Sequence, residues 1–212
     1  MSTDSAHPSS PADSHLADGE VRLLRLFACA VLGRWDELAA ARRAAPPGEP
    51  NRAWRETLLM VHVYAGAPRA VECHAVLARA GGLGTLDPGE VEGEVVPRER
   101  GEALFDAIYA RQSPEVRALI GGFHPDFARV VFHDCYARIL ARPGLAARLR
   151  ELLAVVALAA TGQPRQLASH ARGALRCGAT RLEVEAALAA VADLLEPARL
   201  AEARAVVARH AS

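Results

Sequence analysis

An internal repeat limits the folds open to this 212-residue chain more than any other feature of its sequence. Residues 22–68 align without a gap on residues 151–197, at an offset of 129 positions. Thirteen aligned positions are identical, against about five expected by chance in a chain this rich in Ala, Leu and Arg. The identities include residues that end helices, such as Gly33 with Gly162. The sequence therefore predicts two copies of one structural unit.

The repeated unit has the pattern of a helical bundle. Apolar residues recur with helical spacing between breaks at Gly and Pro, and aromatic residues make up only 5% of the chain. We therefore predict an all-α fold of ten or so helices. The predicted organisation is a disordered tail over residues 1–19, a first unit over 20–80, a linker rich in Gly, Pro and acidic residues over 81–97, and a second unit over 98–212.

One helix has clear signals at its start. Thr180 and Glu183 have the spacing of a capping box, and Gly178 stands where the preceding helix should end. These signals predict a helix from Thr180 to Leu195. A second predicted helix, residues 145–160, is apolar on nearly every face after Glu151, which indicates a central, buried position.

Charge and length exclude several classes of protein. The 25 basic residues, all of them Arg, balance 25 acidic residues, so the chain lacks the basic surplus of a protein that follows nucleic-acid phosphates. The longest apolar run, residues 152–160, is about half of a membrane span. The N-terminal residues lack the features of a secretory signal, from which we expect a cytoplasmic protein. Four widely separated Cys fit neither a disulfide scaffold nor a zinc site, so we expect reduced, mostly buried thiols.

Glu151 and His170 are the candidate catalytic residues. If Gly162 joins two antiparallel helices, the rise of 1.5 Å per residue places both side chains at a similar depth, roughly 16 and 12 Å from the turn. A carboxylate that holds one imidazole nitrogen leaves the other free to move a proton. The alternative is that Glu151 pairs with Arg148 or Arg172 while His170 is a buried histidine at the edge of the core.

Four further polar residues are candidates for binding a substrate. Gln163 and Gln166 precede His170 by seven and four positions on the same helix face, where they could bind a carbonyl or carboxylate or simply be polar residues at the helix start. Arg150 or Arg172 could anchor a substrate carboxylate.

Residues 142–188 resemble the core of the carboxymuconolactone decarboxylase family. Residues 55–72 resemble the same family, because an apolar helix there ends in the signature Tyr64-Ala-Gly-x-Pro68. The resemblance implies an all-helical fold shared with alkylhydroperoxidase D, two tandem units, and assembly into homotrimers or homohexamers.

Within that superfamily, peroxidases carry a Cys-x-x-Cys pair at the positions that Gln163 and Gln166 occupy here. Glutamine forms neither a thiolate nor a disulfide, so thiol peroxidase chemistry is excluded at this site. The decarboxylases do without these cysteines. In the first unit, Arg22 and Ala41 stand at the positions of Glu151 and His170, so at most one site of the family type, or one composite site, remains in the chain.

The resemblance implies a carboxy-lyase that uses no metal or organic cofactor and acts on a small carboxylated or lactone substrate by decarboxylation or proton transfer at carbon. In that reading His170 is the acid/base and Glu151 orients it. A first alternative is a non-catalytic oligomeric scaffold or binding module whose ancestral site has decayed. A second is peroxiredoxin-like activity, which the missing cysteine pair disfavours.

Overall fold

The computed structural model describes residues 16–93 and 95–211, and this part of the chain is helical without a single strand, which confirms the all-α prediction. The helices in chain order are α1 (Asp18–Leu32), α2 (Trp35–Arg43), α3 (Asn51–Arg79), α4 (Arg98–Tyr109), α5 (Ser113–Phe123), α6 (Pro125–Arg129), α7 (Ala147–Thr161), α8 (Pro164–Arg176), α9 (Arg181–Ala189) and α10 (Pro197–His210). Short 3₁₀ turns cover Ala110–Gln112 and Ala192–Leu194, and a π-helical segment, Val130–Leu140, continues α6.

Most breaks between helices lie where Gly and Pro predict them. Gly33 and Gly162 end α1 and α7 in the left-handed conformation, with φ of 75° and 66°. The capping box before α9 is present, since the Glu183 N–H donates to Thr180 Oγ1 and the Thr180 N–H donates to Glu183 Oε2. The predicted end of this helix at Leu195 is wrong, because α9 stops at Ala189 and a 3₁₀ turn follows.

The start of the chain differs slightly from its prediction. Residues 1–15 of the predicted tail lie outside the described residues, while residues 16–19 do not form a tail. Leu16 is buried and α1 already begins at Asp18. The Ala17 N–H donates to Glu20 Oε2, and this contact fixes the first turn of the helix.

The described residues of the predicted linker, 81–93 and 95–97, contain no helix but pack against the helices as a loop. Glu90 and Val96 are buried in it. Arg55 of α3 donates from Nε to Glu90 Oε2 over 2.8 Å, and Arg100 of α4 donates to both carboxylate oxygens of Glu92. The acidic residues of the loop therefore attach it to the helices on either side.

Helix α7 is the centre of the fold, as its apolar sequence predicts. Every residue from Leu149 to Ala160 is buried, and α7 packs against α1, α8 and α9 within one continuous core. Its charged residues Arg150 and Glu151 are therefore enclosed by neighbouring helices, and this enclosure creates the candidate site. No helix of residues 16–93 and 95–211 has the length and apolar character needed to cross a membrane.

The starts of corresponding helices agree with the internal repeat. Adding 129 to the first residues of α1 and α2 gives the first residues of α7 and α8. Both pairs are joined by a left-handed glycine. The division of the chain into two related units remains a prediction, which superposition of residues 22–68 on residues 151–197 would test.

Candidate functional site

Glu151 and His170 lie in direct contact between α7 and α8. The Nδ1 atom of His170 is 2.9 Å from Oε2 of Glu151, as antiparallel helices joined at Gly162 require. A carboxylate can only accept a hydrogen bond, so in the ionised pair Nδ1 donates and Nε2 remains for another partner. The His170 side chain is 8% exposed and that of Glu151 3%, so the imidazole is the more accessible of the two.

The alternative partners of Glu151 are engaged elsewhere. Arg148 forms ion pairs with Glu20 of α1 and Glu183 of α9. Arg172 contacts Nδ1 of His210 at 3.2 Å. Within the described residues, the polar contact of Glu151 is therefore the imidazole of His170.

The three tyrosines of the chain surround this pair. The rings of Tyr64 and Tyr109 lie edge-on to the His170 ring, with centroid distances of 6.2 and 6.4 Å. Tyr136 joins them through Phe105, whose ring packs against both Tyr109 and Tyr136. The site thus combines residues of α3, α4, the π-helical segment, α7 and α8.

Burial keeps the three phenols in their protonated form. It raises the pKa of Tyr64 and Tyr136 well above the usual value, and the negative charge of Glu151 acts in the same direction. Burial also raises the pKa of Tyr109, although a hydrogen bond with Tyr136 opposes the increase. At neutral pH the site therefore contains hydroxyl groups able to donate hydrogen bonds to an anionic group.

Gly173 allows the Glu151 carboxylate to lie close to α8. A Cβ atom at this position would collide with Oε2 of Glu151 and would lie 2.9 Å from Cγ2 of Ile108. Glycine is thus required one turn after His170 for α7 and α8 to approach this closely.

Arg150, a predicted substrate-binding residue, is a buried cation, and only part of its hydrogen-bond donors have partners among the described residues. Its Nη2 donates to Glu56 Oε2 and to the carbonyl oxygen of Arg142, each over 2.9 Å. Its Nε and Nη1 have no hydrogen-bond partner in the part of the chain that the structure describes. Burial lowers the pKa of Arg150, although Glu56 opposes the shift. Tyr64 lies within electrostatic range of both Arg150 and Glu151, since these two residues shift its pKa in opposite directions.

The predicted glutamines lie apart from the pair. Gln163 precedes α8 and Gln166 is in its first turn, and both are exposed whereas His170 is buried. Although the glutamines share a helix face with His170, residues 163–166 at the start of α8 are exposed, and burial begins only at Leu167. Neither glutamine forms a hydrogen bond with the pair among the described residues.

Arg172 lies on another side of α8. With Ser169 and His210 it lines an open groove of about 750 Å³ between α5, α8 and α10. Burial lowers the pKa of Arg172, and the neighbouring cation Arg176 adds to the effect. The polar contacts of this arginine are with Ser169 and His210 in the groove rather than with the imidazole of His170.

The four thiols are free, as expected, and Cys29 and Cys73 do not form the disulfide that their sequence positions leave open. Burial raises the pKa of Cys29, Cys73 and Cys177 to about 11, so these residues hold almost no thiolate at neutral pH. In the described part of the chain, no three His, Cys, Asp or Glu side chains are grouped to hold a metal ion.

The sequence does not single out Tyr109, which lies outside every recognised motif. Tyr64 belongs to the Tyr-Ala-Gly-x-Pro signature, but that signature does not indicate that its ring lies beside His170.

Comparison with known proteins identifies the part of the chain that carries the pair. Residues 125–209 match the model of the carboxymuconolactone decarboxylase family, a range that includes Tyr136, Glu151 and His170 but not Tyr64 or Tyr109. A search of curated proteins found no significant match. Residues 125–209, which carry the Glu151–His170 pair, are thus similar to the carboxymuconolactone decarboxylase family, and the all-helical fold agrees with this similarity.

Proposed function

We propose that the chain is a carboxymuconolactone decarboxylase-like enzyme that moves a proton at carbon in a small carboxylated or lactone substrate, without a metal or organic cofactor. The observation that carries the proposal is the 2.9 Å contact between Glu151 and His170, enclosed by three protonated tyrosines. His170 is the acid/base through Nε2, and Glu151 orients the ring by accepting the hydrogen bond from Nδ1.

In the proposed reaction, His170 and the tyrosine hydroxyls have different roles. When the bond between the substrate carbon and its carboxylate breaks, carbon dioxide leaves and the electron pair enters the conjugated carbonyl of the substrate. The imidazolium of His170 then donates its Nε2 proton to carbon. The tyrosine hydroxyls donate hydrogen bonds to the oxygen on which charge develops, in surroundings where such bonds are strong.

Arg150 is the proposed anchor for the substrate carboxylate. Buried donors almost always have partners, and leaving one without a partner costs about 1–3 kcal/mol. The two free donors of Arg150 are thus suited to a carboxylate that arrives with the substrate. Arg172 in the outer groove would attract the anion during its approach. We assign no substrate contact to the exposed Gln163 and Gln166.

The experiment measures release of carbon dioxide from carboxymuconolactone and a panel of related lactone carboxylic acids. We expect H170N to lower kcat by about 10² to 10⁴ with the fold unchanged, because this is the usual contribution of acid–base catalysis. E151Q keeps a hydrogen-bonding group beside the ring but loses the charge, so it should lower kcat less than H170N does. The matched control is H62N, since His62 is exposed on α3.

Three results would contradict the proposal. Full activity of H170N would remove the acid/base assignment. Absence of both turnover and binding across the panel would favour the scaffold alternative. Hydroperoxide turnover that depends on a cysteine would favour the peroxidase alternative.

A further inference from the structure

A second pocket, of about 470 Å³, lies between α3, the loop 81–97 and the end of the π-helical segment. The Glu151–His170 pair does not line it. Its volume is within the range of about 300–1,000 Å³ that is typical of small-molecule sites. The pocket combines an apolar wall with a buried charged floor, and the two parts indicate what it can bind.

The apolar wall consists of Leu59, Leu86, Val91 and Ile139. Leu59, Leu86 and Val91 are among the exposed large apolar side chains of the chain. Two of them, Leu86 and Val91, belong to the loop 81–97, which is attached to α3 and α4 by ion pairs. A ligand that covers these side chains gains the free energy of removing apolar surface from water, about 25 cal/mol for each Å².

The floor consists of two buried ion pairs that present their arginines to the pocket. Arg142 donates to both oxygens of Glu56, from Nε to Oε2 and from Nη2 to Oε1, and Arg55 binds Glu90 in the same bidentate manner. In both pairs the cation is the accessible partner, because the arginine side chains are each 11% exposed and those of Glu56 and Glu90 are 1% and 3%.

The hydrogen bonds of the floor favour an anionic ligand over a cationic one. Glu56 also accepts from Arg150, and Glu90 also accepts from the Asp87 N–H, so donors already occupy these carboxylates. A ligand amine would compete with arginines for them. The arginines also have acceptors, since Arg55 meets Asp87 and Nη1 of Arg142 lies 3.4 Å from Glu92. Each guanidinium has five N–H groups, however, so each keeps one on Nη1 for a ligand carboxylate.

We propose that this pocket binds a small carboxylic acid with an apolar body, its carboxylate against Arg55 and Arg142 and its body against Leu59, Leu86, Val91 and Ile139. The site is separate from the proposed reaction, although the Glu56–Arg150 ion pair connects its floor to α7. Binding in this pocket does not depend on catalysis, and its measurement requires no turnover.

The test is calorimetric titration of the full chain with octanoate and with octanamide, a neutral analogue of the same size. We expect octanoate to bind about tenfold more tightly, a difference of about 1.4 kcal/mol, and its advantage to decrease at high salt. V91D should weaken octanoate about tenfold, since it removes apolar contact and adds a like charge. The matched control is V95D, because Val95 is 91% exposed in the same loop and does not line the pocket.

A second variant separates the wall from the charge. L86Q removes apolar contact without adding charge, so it should weaken octanoate and octanamide by the same factor. Equal affinity for octanoate and octanamide would overturn the anionic class of ligand. The site itself would be overturned by absence of octanoate binding at millimolar concentration, or by equal effects of V91D and V95D.

Discussion

At the scale of single residues, Gly173 controls the position of the Glu151 carboxylate. The G173A variant adds a methyl group where Oε2 of Glu151 and Cγ2 of Ile108 now lie, so the carboxylate must move away from α8. We predict lower activity and a loss of roughly 1–3 kcal/mol in the free energy of unfolding, as expected for overpacking. Thermal unfolding and the lactone assay measure both effects.

The matched control for this prediction is G121A. Gly121 lies within α5, and a Cβ there would meet no atom within 4 Å. This substitution should leave activity unchanged and increase stability slightly, since Ala is the better helix former by up to about 1 kcal/mol. Equal stability and activity of G173A and the unmodified chain would show that Glu151 does not depend on this contact.

The sequence predicts some residues of the candidate site better than others. The spacing of Glu151 and His170 determines their depth on two helices joined by a tight turn, so their contact could be predicted. Tyr64 and Tyr109 come from α3 and α4, and their approach to His170 depends on long-range packing that local periodicity does not encode. The unpaired donors of Arg150 could not be predicted either, because they depend on which guanidinium nitrogen the distant residue Glu56 binds.

At the scale of structural elements, Glu90 attaches the loop 81–97 to α3. Hydrogen bonds from Arg55 lower the pKa of Glu90 from 4.5 to about 2. A lowered folded-state pKa stabilises the fold fully above the unfolded value, and the contribution is lost as the pH falls from 4.5 towards 2. We predict that E90Q lowers the free energy of unfolding at neutral pH by roughly 1–3 kcal/mol, and that its difference from the unmodified chain shrinks below pH 4.5.

Denaturant titrations across this pH range measure the effect. E99Q is the control, because Glu99 is exposed in the first turn of α4. A difference between E90Q and the unmodified chain that stays constant from pH 7 to pH 3 would contradict the electrostatic attachment of the loop.

Helix boundaries were predictable wherever Gly or Pro acts on the local backbone. Gly33 and Gly162 end their helices as expected, and Gly66, with φ of 80°, interrupts α3 at a kink between two helical segments, where a break was also expected. The predicted end of α9 failed because Val191, Leu194 and Leu195 are buried, and their packing favours a 3₁₀ turn. The attachment of the loop 81–97 could not be predicted, because it depends on partners elsewhere in the chain. The composition of the loop is that of a free linker.

At the scale of the whole molecule, only the second half carries the Glu151–His170 pair. Arg22, at the position that corresponds to Glu151, forms an ion pair with Glu49 instead. Asp193, which corresponds to Tyr64, forms a bidentate ion pair with Arg25 across the two halves. Under the two-unit interpretation, an ion pair in the first half thus occupies the position that corresponds to Glu151, while Ala41 stands at the position of His170.

The two halves should unfold as one cooperative unit. Helices α1 and α7 belong to one continuous core, and Arg148 of α7 binds Glu20 of α1. Both tryptophans, Trp35 and Trp54, lie in the first half, so their fluorescence reports on that half while far-ultraviolet circular dichroism reports on all helices. We predict that the two signals give coincident transitions in urea, since neither half can bury its apolar surface without the other.

D193N, which weakens a contact between the halves, should shift the midpoints of both transitions by the same amount. A fluorescence transition that precedes the loss of helix would contradict this prediction and indicate two independently stable units.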